Sequence, residues 1–314
     1  MKIVVLDADT LGADLDLSPL YECGEVTVYK TTPPELVAER ICGADAVLIN
    51  KVKLNESNLA GSGIRLICIA ATGYDNIDVA YCREAGIAVC NVVGYSTHSV
   101  AQLTLSMALS LATHLPEYTE AVRDGSYTEG GVANKLTPVY HELCGKKWGI
   151  VGYGNIGRQV ARVAEAMGCE IIAFKREPVD GVRCTDLDTL CRESDIISIH
   201  LPLSDKTRGI VGEREISLMK KDAIVINVAR GAVTDEAALA KAVKEGRIGG
   251  IGVDVYSVEP MPKEHPLYAV RELPNVCLTP HMAWGSAEAR ARCLSEIVKN
   301  IEAFKAGERR SRVD

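Results

Sequence analysis

Through the first hundred residues, short and mostly apolar runs alternate with stretches whose apolar positions recur every three or four residues. The runs KIVVL (2–6), VTVYK (26–30), AVLIN (46–50), LICIA (66–70) and IAVCN (87–91) have the length and β-branched content of strands. Residues 33–43, PPELVAERICG, read as a helix, with Pro33 and Pro34 suiting its first turn and Gly43 its end. Apolar strands separated by helices predict a parallel sheet covered on both faces.

The pattern restarts after His141. KKWGIVG (146–152) predicts a strand and NIGRQVARVAEAMG (155–168) a helix, with Ile156, Val160, Val163 and Met167 at helical spacing and Gly168 as its stop. EIIAF, DIISIH, DAIVINV and GIGVDV then predict further strands, so two α/β units follow in series. Residues 98–115, HSVAQLTLSMALSLATHL, carry the longest helical pattern and are expected to connect the units. The stretch 123–135 is expected to be a loop, and a last helix over about 286–304 to return to the first unit. No internal repeat or low-complexity tract stands out.

Length and charge narrow the picture. A chain of 314 residues exceeds the usual size of a single core, which makes two domains the expectation. A net charge of -7 argues against a nucleic-acid or anionic-membrane partner. No apolar run reaches the ~18 residues of a membrane span. MKIVVLDAD enters a strand pattern at once, without the layout of a signal peptide, so a cytoplasmic location is expected. The 11 cysteines, an odd number without a CxxC pair, fit a reduced protein that uses Cys as a small core residue. No cluster has zinc-ligand spacing, and no metal is expected.

Candidate chemistry begins with GYGNIG, which follows an expected strand and opens an expected helix. Gly152 permits a tight turn, Gly154 lets the backbone approach a pyrophosphate, and Gly157 lets helix and strand pack closely. The helix start offers unpaired N–H groups and a partial positive charge to phosphates. The next strand, EIIAF, runs into Lys175 and Arg176, where an acidic residue usually binds the ribose hydroxyls of NAD; Glu177 comes two positions late. Two cations there suit the 2′-phosphate of NADP, and the alternative is a solvated basic turn. NADP is therefore the expected cofactor, with NAD as the alternative.

Three charged residues follow in order. Arg230 in NVARG stands just past an apolar strand, where doubly wound sheets place ligands, and a guanidinium there can clamp a carboxylate. Glu259 lies in SVEP and His281 in TPHMAW. A carboxylate beside a histidine favours its imidazolium form, the proton donor that carbonyl reduction needs, but sequence does not show the contact. His98, His114, His141 and His265 read as structural.

On these residues the chain resembles the D-isomer-specific 2-hydroxyacid dehydrogenase family almost end to end, through AATGYDNIDV, NVVGYSTHSVAQ, GYGNIG, HLPLSDKTRG, INVARG, GVDVYSVEP, EHPL and LTPHMAW. It is most similar to the glycerate dehydrogenase, or hydroxypyruvate reductase, branch. The resemblance implies an α/β fold with a Rossmann doubly wound sheet over residues 99–284. A second, flavodoxin-like α/β domain that binds substrate would be formed by 1–98 with 285–314. It implies that Arg230 binds substrate, that Glu259 partners the catalytic His281, and that Asp254 lies near the nicotinamide amide. Asn50, Lys51, Val52 and Gly73 match loops whose backbone groups face the substrate carboxylate. Cofactor contacts are expected from Gly152, Gly154, Asn155, Ile156 and Gly157, from Lys175 and Arg176, from His200, Pro202 and Thr207, and from Val228 and Ala229. The implied activity is reduction of a small 2-keto acid of the hydroxypyruvate or glyoxylate type to the D-2-hydroxy acid. D-lactate or aromatic 2-keto acid reduction is the enzymatic alternative, and a nucleotide-sensing corepressor-like binding protein the alternative of another class. Tyr74, Tyr95 and Trp284 read equally as pocket or as packing residues. A homodimer is implied, with contacts through the helix near 98–115, although a helix buried within one subunit would show the same pattern.

Overall fold

The computed structural model describes residues 1–314. Its contacts divide the chain into two units, Met1–Ser96 with Trp284–Asp314, and Thr97–Ala283. The first boundary precedes the expected one because the long helix already starts at Thr97. The second does so because Trp284 packs edge-on against Tyr95, with ring centroids 6.3 Å apart.

The first unit holds β1 (Lys2–Val5), β2 (Glu25–Val28), β3 (Ala46–Ile49), β4 (Leu66–Ile69) and β5 (Ala88–Cys90), parallel throughout in the order β2-β1-β3-β4-β5. This is the doubly wound order of flavodoxin-like sheets. Successive residues of a strand point to opposite faces, and here both faces are buried. Ile3, Val5, Leu48, Leu66 and Cys68 pack against Ala289, Cys293, Leu294 and Ile297 of the last helix, Ala287–Lys305. Val4, Leu6, Val47, Ile49, Ile67 and Ile69 pack on the opposite face with Val37, Ile41 and Leu59. The unbroken apolar runs follow from this double burial. Residues 33–43 form a 3-10 turn, Pro34–Leu36, leading into a short α-helix, Val37–Ile41.

The second unit holds β6 (Lys147–Val151), β7 (Glu170–Phe174), β8 (Arg183–Cys184), β9 (Ile196–Ile199), β10 (Ile224–Asn227), β11 (Gly250–Val253) and β12 (Val276–Leu278). All pairings are parallel, in the order β12-β11-β10-β9-β6-β7-β8. The chain winds outward from β6 in both directions, so the topological switch point lies between β6 and β9, where this architecture binds ligands at the carboxyl ends of its strands. β8 and β12, of two and three residues, are too short to carry a periodic signal of their own.

Two helical expectations change. The pattern over 98–115 is two helices, Thr97–Thr113 and Leu115–Arg123, broken at His114, which adopts a left-handed conformation with φ 51°. Pro116 explains the break: it lacks an N–H, its ring excludes the preceding helical carbonyl, and it fits only a first turn. Val100, Ala101, Thr104, Met107, Ala108 and Leu111 of the first of these helices are buried within the second unit, against the helix Asn155–Ala166 and strands β10 and β11. Those apolar positions thus form a packing face inside one chain. The loop over 123–135 contains a single helical turn, Ser126–Glu129.

All 11 cysteines are free and seven are buried. Burial pushes the Cys191 and Cys293 thiols up to about 12, which leaves them protonated and unreactive. No helix is long and apolar enough to cross a membrane.

Candidate active site

The glycine turn lies at the switch point. Gly152, directly after β6, has φ +101°, and a Cβ there would stand 2.9 Å from the His200 carbonyl carbon. Any other residue would meet both backbone strain and collision. Its N–H donates to the Phe174 carbonyl at 3.1 Å, tying the turn to the end of β7. A Cβ on Gly157 would come 2.5 Å from the Gly152 oxygen, whereas one on Gly154 would meet nothing within 4 Å. Space beside Gly154 is therefore open to a ligand. No side chain caps the helix that Asn155 begins, and its first amides lack a carbonyl one turn back, so Asn155 and Ile156 present N–H groups to that space. Lys175 and Arg176 leave the end of β7 next to this turn.

His200 follows β9 on the other side of β6. Its Nε2 lies 3.0 Å from the Ser198 hydroxyl, which accepts the indole N–H of fully buried Trp148 at 2.9 Å. The Ser198 hydrogen can then point to Nε2, which places the ring proton on Nδ1. Nδ1 is buried without a hydrogen-bond partner, and burial pushes the imidazole down to about 3, so the ring is neutral. An orphaned donor beside an open glycine turn is what a bound dinucleotide would satisfy, and these residues fit one. In the neighbouring loop the Thr207 hydroxyl donates to the Pro202 carbonyl at 2.6 Å, so it shapes the loop. Asn227, at the end of β10, shapes the next: its Oδ1 accepts the Ala229 N–H and its Nδ2 donates to the Arg230 carbonyl, each at 3.0 Å. Val228 and Ala229 lie within that turn.

Three adjacent strands, β10, β11 and β12, deliver the charged residues from their carboxyl ends. Arg230 follows β10 and opens the 3-10 turn Gly231–Val233. A Cβ on Gly231 would lie 2.2 Å from the Ser257 nitrogen, so the arginine turn packs directly on the backbone of the loop that carries Glu259 after β11. His281 follows β12 in a left-handed conformation, φ 54°. Its Nδ1 lies 2.7 Å from Glu259 Oε2, and Glu259 Oε1 accepts the Tyr256 N–H at 3.0 Å. The carboxylate accepts from Nδ1, which fixes the tautomer and orientation of the ring and makes Nε2 the proton-exchanging nitrogen.

Asp254, at the end of β11, is completely buried. It accepts the Thr279 hydroxyl at 2.5 Å and the Met282 and Ala283 N–H groups at 2.9 Å each. Burial raises its carboxyl above the usual range against the pull of these three donors. The contacts observed for Asp254 run to the segment that carries His281, whose backbone it holds.

The remaining site candidates belong to the first unit and leave the carboxyl ends of neighbouring strands, Asn50–Val52 after β3 and Gly73 after β4. The N–H groups of Asn50, Lys51 and Val52 all donate to the buried carboxylate of Asp7, at 2.6 to 3.1 Å, and Asn76 donates to the Val52 carbonyl at 2.8 Å. Those three amides are thus already engaged by the chain's own carboxylate, and Asp7 sets the loop conformation. Sequence reasoning missed Asp7, whose signal was an acidic residue closing the run KIVVL. It also missed Glu236, described below. Tyr95 and Trp284 pack on each other in the core of the first unit, while Tyr74 is exposed.

A seven-stranded doubly wound sheet with a glycine turn at its switch point, and a histidine–carboxylate pair and an arginine at one carboxyl edge, defines a dinucleotide-dependent oxidoreductase. The family model for the D-isomer specific 2-hydroxyacid dehydrogenase, NAD binding domain, matches residues 105–283. A glycerate dehydrogenase of Methylorubrum extorquens is 37% identical over 309 residues, covering 98% of this chain and 96% of the relative. A hydroxypyruvate reductase of Blautia hydrogenotrophica is 35% identical over 317 residues, covering 98% of each. An acyclic imino acid reductase, solved in complex with NADPH and D-Arg, superposes with a TM-score of 0.89 at 30% identity over 100% of both chains. The chain belongs to the D-isomer-specific 2-hydroxyacid dehydrogenase family.

Proposed function

We propose that this enzyme reduces a small 2-keto acid of the hydroxypyruvate or glyoxylate type to the D-2-hydroxy acid with NADPH, with Arg230, Glu259 and His281 as its catalytic residues. The 2.7 Å contact between His281 and Glu259 carries the proposal, because it turns an otherwise ordinary histidine into an oriented acid/base. The names of the full-length relatives supply the substrate class.

The guanidinium of Arg230 binds the keto-acid carboxylate and polarises the adjacent carbonyl. His281 Nε2 gives a proton to the carbonyl oxygen as the keto carbon is reduced, and Glu259 offsets the imidazolium charge through Nδ1. The nicotinamide cofactor, when bound, supplies the hydride. The turn Gly152–Gly157 with the Asn155 and Ile156 amides holds its pyrophosphate, and His200 Nδ1 and the loops at Pro202, Thr207, Val228 and Ala229 line the same edge. Asp254 serves the nicotinamide end and the His281 backbone together. Lys175 and Arg176 bind the 2′-phosphate that distinguishes NADP from NAD. Gly73 and the loop Asn50–Val52 bind substrate through groups other than the three amides that Asp7 holds.

The protein acts as a cytoplasmic homodimer. Seven of its thirteen exposed large apolar side chains fall between residues 115 and 140, among them Leu136 and Val139. Exposed apolar side chains concentrated on one segment suit a partner, and a second copy presents the same segment to itself about a two-fold axis.

The test is steady-state reduction of hydroxypyruvate, glyoxylate, pyruvate and phenylpyruvate, each with NADPH and with NADH. The highest kcat/KM is expected for hydroxypyruvate or glyoxylate with NADPH. Preference for pyruvate or phenylpyruvate would move the substrate assignment, and a strong NADH preference would make Lys175 and Arg176 surface charges.

A further inference from the structure

Beneath the loop that carries Glu259 lies a second histidine–carboxylate pair that takes no part in the chemistry above. Glu236 is the first residue of the helix Glu236–Lys244, and His265 caps the 3-10 turn Pro266–Val270. The two residues are only 8% and 6% exposed, and His265 Nε2 lies 3.0 Å from Glu236 Oε2. Buried polar groups of this kind are retained when every atom has a partner, and these do. His265 Nδ1 accepts the Leu267 N–H at 3.3 Å, which puts the ring proton on Nε2, donating to Glu236. The other Glu236 oxygen, Oε1, accepts the Ser257 N–H at 3.0 Å.

Ser257 stands two residues before Glu259. Its neighbour Tyr256 donates its N–H to Glu259 Oε1 and packs its ring edge-on against His265, with centroids 5.9 Å apart. The Tyr256 hydroxyl donates to the Thr279 carbonyl at 2.9 Å, on the segment that carries His281. Gly231, next to Arg230, packs closely on the backbone of the same two residues. The backbone at 256–257 is therefore the junction of all three catalytic elements, and Glu236 with His265 grips it from within the protein.

We infer that the Glu236–His265 pair is a positioning device, which clamps the Ser257 amide so that the Glu259 carboxylate is held on His281. The inference rests on the role of Glu259 proposed above. The clamp cannot be matched by an isosteric amide. A glutamine at 236 offers one acceptor to two donors, and His265 cannot switch tautomer while Leu267 occupies Nδ1. One buried N–H would then lose its partner, and the loop would shift to satisfy it.

Steady-state kinetics of Glu236→Gln, Glu259→Gln and the double variant test this, with binding of the reduced cofactor measured separately. Glu236→Gln is expected to lower kcat about ten- to a hundredfold, the scale of a small misplacement of a catalytic group. KM for the keto acid and Kd for the cofactor should move less than about twofold. In the Glu259→Gln background the same change should remove less than about a further twofold of kcat, because the carboxylate it positions is already gone. Losses that multiply in the double variant, or wild-type kcat in Glu236→Gln, overturn the inference. His265→Asn, which keeps an oxygen for the Leu267 N–H but cannot reach Glu236, is judged by the same criteria if Glu236→Gln does not fold. Failure of both to fold makes the pair a folding element and overturns it too. Undiminished kcat in Glu259→Gln alone would sink the catalytic reading as well. A loss there beside normal kcat in Glu236→Gln would sink only the positioning.

Discussion

With Nδ1 of His281 held 2.7 Å from Glu259, one neutral tautomer is favoured and one nitrogen is aimed at exchange. His281→Asn should keep its place in the loop but lose the proton, lowering kcat about 10²- to 10⁴-fold with cofactor affinity little changed. Wild-type turnover in that variant would remove His281 from the mechanism. His200 makes a different prediction. Its imidazole falls from 6.5 to about 3 in the folded protein, so below about pH 6.5 the unfolded chain takes up a proton that the folded chain refuses. Stability should therefore fall as pH falls, by ~2 kcal/mol between pH 7 and pH 5 from this group. Denaturant titrations of His200→Gln at the two values should show a shallower loss by about that amount, and equal slopes would refute the assignment.

At the scale of elements, β7 and the helix Asn155–Ala166 bring chemistry together because the Gly152 amide bonds to the last residue of β7. Lys175, the next residue, thereby starts beside the glycine turn. Lys175→Asp should replace an attraction for a 2′-phosphate with repulsion and offer a carboxylate to ribose hydroxyls. The ratio of kcat/KM for NADPH over NADH should drop about ten- to a hundredfold. An unchanged ratio would place the phosphate elsewhere. Strand order explains why residues 230, 259 and 281, far apart along the chain, gather at one edge: β10, β11 and β12 are successive neighbours in a parallel sheet, so all three carboxyl ends point the same way.

For the whole molecule, the proposed homodimer is tested at the exposed apolar side chains over 115–140. Leu136→Asp together with Val139→Asp should shift sedimentation from dimer to monomer, and a wild-type monomer would show that the patch serves another purpose. The apolar runs of the central strands, the glycine turn and Arg230 at a strand end were all legible in the chain itself, because each depends on neighbours within a few residues. Even the break at His114 had a local signal, in Pro116, that an apolar pattern running through 98–115 concealed. What only the tertiary structure decided depends on partners distant in sequence. Asp7 reads alone as an acid closing a strand, yet it gathers three amides some forty residues away. Glu236 reads as a favourable charge at a helix start, yet it faces His265 from 29 positions off. Helix and strand periodicity reports which side of an element is buried; it carries no information on which buried polar atoms find one another, since that is set by how the elements pack.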